Sequence, residues 1–248
     1  MPKKIFLWGP ARSVSTAFLR AFQQRNDTIG LFEPYTDCYY FSKDRKTDMY
    51  GGKEELWERT GPIVESEFKD YQSEILFIKE MAYFGLPYIG DEIFNESVHT
   101  FIIRDPRYTL YSRKKVRKDT IGEWEFGFTA LKEMWDKVRH NGKKIIVVDG
   151  DKVRVNPEFY LRKYCEELGI QFQASMLYWD DGNVKKWEEH EKDAHARFHK
   201  TLESSKGFIS GNSFKEELEM NFSKDEWGMV NRALDIYHEM LPHSITEE

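Results

Sequence analysis

Cysteine is scarce in this chain. Cys38 and Cys165 are the only two in 248 residues, and neither belongs to a C-x-x-C pattern. A disulfide framework is thereby excluded, and free thiols suit a reducing compartment. Long apolar runs are missing as well, since nothing approaches the ~20 residues of a bilayer-spanning helix. Lys3-Lys4 leads straight into a strand-like run and leaves no room for a cleaved leader, so the expectation is a cytoplasmic protein with no membrane partner. Charge of one sign is not in large excess. A formal net charge of −6 argues against a surface built for nucleic acid. Repeats, low-complexity tracts and linkers are absent, so residues 1–248 read as a single domain, long enough to bury a full core. Aromatic residues, at 15%, are plentiful, which suits both core packing and a pocket-rich domain.

Short apolar runs alternate with amphipathic stretches. Ile5–Trp8, Thr28–Phe32, Ile75–Ile78, Thr100–Ile103 and Ile145–Val148 read as buried strands. Helices are expected from about Ser13 to Phe22, after Asp105-Pro106, over Trp124–Val138, and from Asn156-Pro157 to Leu168-Gly169. The tract from Tyr35 to Tyr50 reads as a long loop or lid, and residues 54–71 as a helix interrupted at Gly61-Pro62. The last hundred residues look helical apart from a loop around Gly207–Asn212. The sum is an α/β fold: a P-loop-like central parallel sheet with helices on both faces and a helical C-terminal part.

The stretch Trp8-Gly9-Pro10-Ala11-Arg12-Ser13-Val14-Ser15-Thr16 joins the first strand to the first helix. Unpaired N–H groups and the positive end of a helix dipole make such a junction an anion cradle. Arg12 and the hydroxyls of Ser13, Ser15 and Thr16 are candidates to surround a phosphate or sulfate. A triphosphatase loop is excluded, because G-x-x-x-x-G-K-[ST] requires a Gly where Val14 stands and a Lys after it. The stretch resembles instead the 5′-phosphosulfate loop of sulfotransferases, roughly P-[KR]-S-G-[ST]-[ST]. Arg12 falls on the basic position, Ser13 on the Ser, Ser15 and Thr16 on the hydroxyl pair; Val14 replaces the usual Gly and Ala11 intervenes after Pro10. Arg104 and Ser112 have the strand-end and helix spacing with which that family holds the 3′-phosphate of its donor. Ser205-Lys206-Gly207-Phe208 resembles its C-terminal donor loop, with Ser205 where Arg is usual. Asp149-Gly150-Asp151 through Leu168-Gly169 resembles a structural segment of the family.

The resemblance implies an enzyme moving a sulfuryl group from 3′-phosphoadenosine 5′-phosphosulfate (PAPS) to a hydroxyl or amine of a small-molecule acceptor, leaving 3′-phosphoadenosine 5′-phosphate (PAP), with no metal required. It assigns Arg12, Ser13, Val14, Ser15, Thr16, Arg104, Ser112, Lys206, Gly207 and Phe208 to the donor. Arg12 is the electrostatic stabiliser. The base is open between Glu33, Glu80 and Lys79: Glu33 resembles the acid used by some bacterial carbohydrate sulfotransferases, and Lys79-Glu80 stand where animal cytosolic enzymes keep a His. A P-loop nucleotide-dependent kinase and a non-catalytic nucleotide-binding protein remain alternatives. Three further features carry less chemistry. His190, His195 and His199 lie among charges and read as a solvated face, since no Glu completes H-E-x-x-H. The basic run 113–118 reads as an exposed helix face that raises the positive potential seen by the donor. Trp124, Phe126 and Phe128 suit either an acceptor pocket or the core.

Overall fold

The computed structural model describes residues 2–50, 56–117, 119–192, 200–209 and 220–247. Five strands form one parallel sheet: β1 (Lys3–Gly9), β2 (Thr28–Phe32), β3 (Ile75–Met81), β4 (Val98–Ile103) and β5 (Ile146–Asp149). Their order is β2-β3-β1-β4-β5. The most apolar runs take the centre, because a parallel sheet is covered on both faces. Phe6, Trp8, Ile78, Phe101 and Ile103 point into one core with the helix Phe128–His140. Ile5, Leu7, Phe77, Ile102 and Val148 point into the other with the helices Ser15–Gln23 and Pro157–Leu168. A third cluster of Leu110, Phe126, Phe128, Met229 and Val230 ties the helix Pro106–Val116 to the long helix Lys224–Met240.

Local chemistry sets the boundaries. Asp105 accepts from the Arg107 N–H and Pro106 fills the first helical position, as expected. Asn156 caps Pro157–Leu168, which stops at Gly169 with φ 65°. Four expectations need correction. The stretch Trp124–Val138 is two helices, Glu123–Phe126 and Phe128–His140, parted where Gly127 takes φ 92°. Gly61-Pro62 opens the helix Gly61–Glu67 rather than interrupting one, with Pro62 inside its first turn. The tract expected as a loop or lid begins with the helix Thr36–Phe41, with Tyr35, Tyr39 and Phe41 buried in the core, and only residues 42–50 run without regular structure. The described C-terminal part is helical mainly in Lys224–Met240, while residues 178–188 run without regular structure. Positions 51–55, Lys118, His195, His199 and 210–219 lie outside the described residues.

His99 is a buried polar group in the aromatic core. His99 of β4 stacks on Phe94 at 4.5 Å, accepts from Trp8 Nε1 at Nδ1 (3.0 Å), and donates from Nε2 to the Phe94 carbonyl (2.8 Å). Both ring nitrogens are satisfied only in the neutral form, and burial lowers the pKa to about 4. The unfolded chain takes up a proton near pH 6.5, whereas the folded one resists until about 4. His99 therefore contributes stability that is intact above pH 6.5 and is lost as pH falls through that window, up to about 3 kcal/mol. Melting curves of wild type and His99→Gln across pH 4–7 should converge towards acid, the wild type losing more.

Candidate functional site

The junction after β1 is held by close backbone approaches. A side chain at Gly9 would meet Ile102 Cγ2 at 2.7 Å, so the strand end packs flat against β4. Arg12 and Val14 then adopt left-handed conformations, φ 64° and 75°, before the helix starts at Ser15. For a β-branched residue that conformation is an outlier, and such strain persists only where the surroundings impose it. Gly150, at the start of the helix after β5, imposes it: a Cβ there would lie 2.2 Å from the Ser13 carbonyl oxygen and 3.2 Å from Val14 Cβ. Val14 thus performs, with strain, the turn for which the family pattern uses Gly. Ser13 is fully buried, and its Oγ lies where it would be 2.9 Å from a Gly9 Cβ, without a hydrogen-bond partner. That hydroxyl packs the turn; Ser15 is also buried, while Thr16 is half-buried at the helix start.

Above this turn the structure gathers guanidinium groups. Arg12 Nε donates to Ser112 Oγ (3.1 Å), and Arg104 Nη1 donates to the Arg12 carbonyl (3.0 Å). Arg104 and Ser112, the pair that the resemblance implies, are therefore joined through Arg12. Arg104 Nε also donates to Asp151 (2.9 Å), which Arg154 approaches at 3.8 Å. Burial and the neighbouring Arg104 lower Arg12 to about 10, and the same two causes lower Arg154. Asp151 is raised by burial against the pull of Arg104. Two of these arginines thus share one carboxylate, and Arg12 is tied to Arg104 through its carbonyl. Asp151 and Arg154 were not singled out from the sequence; the Asp-Gly-Asp turn was read as structural, and no local pattern shows that its helix folds back over Arg104.

These groups line a cavity of about 590 Å³ at the carboxyl edge of the sheet, which also takes in residues 11–17, Glu33, Lys79 and Phe208. Lys206 and Gly207 line an adjoining groove with Asn156 and Tyr178, so of the three donor-loop candidates there only Phe208 borders the main cavity. Across the cavity Lys79 Nζ pairs with Glu33 Oε1, both side chains almost wholly buried, and the Lys79 Nζ stands 4.9 Å from the Phe32 ring centroid. Glu33 has φ 46° and donates its N–H to the Lys79 carbonyl (2.8 Å), which turns the chain out of β2 towards β3. Glu80 is not brought in. Strand alternation sends it to the opposite face, where it is fully buried and accepts from Tyr35 N (3.0 Å) and Met81 N (2.9 Å). Burial, then the charge of Glu33, pushes its pKa well up. Lys79 pairs across strands with Glu33 and not with its chain neighbour Glu80.

The remaining wall is aromatic and basic. Tyr40, Tyr50, Tyr83 and Phe84 border it, with Arg113, Arg117 and Glu125. The basic run is therefore not a solvated face: Arg113 is 7% exposed, Lys114 pairs with Glu226 (2.7 Å), and Arg117 Nη1 donates to Tyr50 Oη (3.0 Å). Phe126 and Phe128 belong to the third core cluster, not to the cavity. His190 Nε2 lies 3.1 Å from Asp37 Oδ1, and with Glu191 they place ligand-type atoms within 4.8 Å of one another. Glu191 is already engaged by Lys185 (2.5 Å) and by the Glu188 N–H (3.0 Å).

The family model described as "Sulfotransferase domain" matches residues 3–240. The chain belongs to that family. Among solved structures, the sulfotransferase domain of the curacin biosynthetic pathway aligns with a TM-score of 0.56 at 12% identity, over 94% of this chain and 97% of that one. The sulfotransferase domain of the Synechococcus PCC 7002 olefin synthase gives 0.54 at 14% identity, over 93% and 94%. At such identity the likeness is one of fold, and the expected P-loop-like parallel sheet is the fold observed. "Branched-chain-amino-acid aminotransferase-like protein 1" of Arabidopsis thaliana is 27% identical over 254 residues. That match takes in 98% of this chain, which spans 42% of the relative's own length. No described helix of this sulfotransferase domain is long and apolar enough to cross a membrane.

Because the loop of residues 12–14 rests on Gly150, a Gly150→Ala variant should destabilise the domain by about 1–3 kcal/mol through overpacking. Its affinity for an adenosine bisphosphate should fall at the same time. Chemical denaturation and calorimetry on one preparation check both effects.

Proposed function

We propose that the chain is a PAPS-dependent sulfotransferase acting on a hydroxyl or amine of a small-molecule acceptor. The observation that carries this reading is the convergence, in one cavity, of Arg12, Arg104, Ser112 and a helix N-terminus on one side and the Glu33–Lys79 pair on the other. The first set suits a donor with phosphate at both ends of its ribose, since guanidinium forks and helix N–H groups recognise oxyanions. The second set suits a reaction in which a proton leaves the acceptor as a sulfur–oxygen bond forms.

In this scheme the acceptor oxygen or nitrogen attacks the sulfur of PAPS in line with the departing phosphate. The new bond to sulfur forms as the sulfur–oxygen bond to that phosphate breaks, and PAP leaves with the electron pair. Arg12 meets the charge that develops on the phosphate; an arginine with a pKa of about 10 stays protonated at neutral pH and acts as a stabiliser rather than an acid. Glu33 takes the acceptor proton, and Lys79, bound to it, holds the carboxylate in place. Glu80 hydrogen-bonds backbone N–H groups and braces the turn at Tyr35. A cytoplasmic setting and the absence of nucleic-acid partners remain part of this reading.

Arg104→Ala should weaken PAP more than tenfold while affecting adenosine 5′-phosphosulfate far less, consistent with a lost charge-assisted pair of about 1.5–3 kcal/mol. Equal losses for both nucleotides in calorimetry would remove the 3′-phosphate assignment. Glu33→Gln should lower turnover by about 10²-fold or more with PAP binding retained. Near-normal turnover in that variant would move the base elsewhere, Lys79 being the next candidate in the cavity.

A further inference from the structure

Arg113 is more than nine-tenths buried and borders the cavity, and its Nη1 has no hydrogen-bond partner among the described residues. Among those residues its ion contact is Asp119 Oδ1, 3.8 Å from Nη1, and Asp119 is also gripped by Arg117 Nε at 2.6 Å. A guanidinium carries five donors. Burying the donors of Nη1 without a hydrogen bond is costly unless a partner arrives, and native structures leave few such groups without a reason. Arg113 follows Ser112 and borders the same cavity as Tyr40, Tyr50 and Tyr83.

The aromatic wall of this cavity is continuous with the Glu33–Lys79 pair. Tyr83 is raised by burial and then by the neighbouring Tyr40, Glu33 and Glu125, while Arg113 is lowered by burial with Tyr83 and Glu125 among its charged surroundings. Glu125, the other carboxyl here, is raised by burial with Arg113 and Arg117 opposing. It stands too far from Arg113 to hydrogen-bond it. The tyrosines supply flat surface and hydroxyls, and the basic groups Arg113 and Arg117 supply charge.

Resting on the sulfotransferase reading of the cavity, we propose that the acceptor carries an oxyanion, a carboxylate or phosphate, which Arg113 binds so that the nucleophilic hydroxyl or amine is presented to Glu33. A neutral acceptor of the same shape leaves the guanidinium unsatisfied and is discriminated against.

The test is a thermal-shift series on the PAP-saturated protein in acetate, inorganic phosphate or chloride at equal ionic strength. Acetate or phosphate should raise the melting temperature by about 2–5 °C over chloride, and whichever gives the larger rise identifies the group as carboxylate or phosphate. Arg113→Met, which keeps the apolar stem, should lose that rise and melt no lower than wild type in chloride, because a buried charge with only a long ion contact has been removed. Arg113→Lys should keep a smaller rise. No rise in wild type, or an equal rise in Arg113→Met, overturns the proposal. So does an Arg113→Met protein that melts several degrees lower or fails to fold, which would make Arg113 a structural tie to Asp119. Failure of PAP to bind would instead count against the donor reading, and the Arg113-dependent rise, measured without PAP, would still decide this one.

Discussion

The site depends on positive charge held in a place where solvent cannot fully neutralise it. Arg12 and Arg104 stand together over a turn that backbone contacts with Gly9 and Gly150 fix in a strained shape. Burial, then the neighbouring Arg104, lowers the pKa of Arg12. Asp151 offsets part of that charge, and Ser112 adds only a neutral partner. Such an arrangement is stable because the sheet and its helices impose it. On the proposed reading an oxyanion bound there relieves it, and binding energy and catalytic preorganisation have the same origin.

Parallel topology explains why the opposite charges face this cluster. Every strand of such a sheet ends at the same edge, and ligands bind beyond the carboxyl ends. Arg12 follows β1, Glu33 follows β2, Lys79 lies near the end of β3, and Arg104 follows β4. Register does the remaining sorting. Phe32 stands opposite Lys79, which brings Glu33 within reach of the lysine, and the alternation of side chains turns Glu80 into the core. Two adjacent ionisable residues thus acquire different roles from one residue of pleat.

The tyrosine-rich half of the cavity is tied to the fold as firmly as the arginine-rich half. Tyr40 belongs to a buried helix, Tyr83 follows directly on β3, and Arg113 and Arg117 descend from the helix that Asp105 caps behind Arg104. The two halves of the cavity share that helix: Ser112 meets Arg12 while the next residue borders the cavity with the tyrosines. A change in the helix would therefore register at both ends.

Much of this was legible in the residues themselves. The five strands followed from apolar runs bounded by Gly, Pro and charge, and Asp105-Pro106 and Asn156-Pro157 marked their helices because capping is local chemistry. The loop from Gly9 to Thr16, and Arg104 with Ser112, were recognisable because a short stretch of chain supplies most of each motif. What only the tertiary structure decided concerns partners distant in sequence. Glu33 rather than Glu80 meets Lys79, Asp151 braces Arg104, Tyr39 and Phe41 fill the core instead of covering a pocket, and Arg113 faces inward from a run that reads as surface. None of these has a local signature, because each depends on which strand lies beside which and on how one residue of register directs a side chain to the cavity, the core or the solvent.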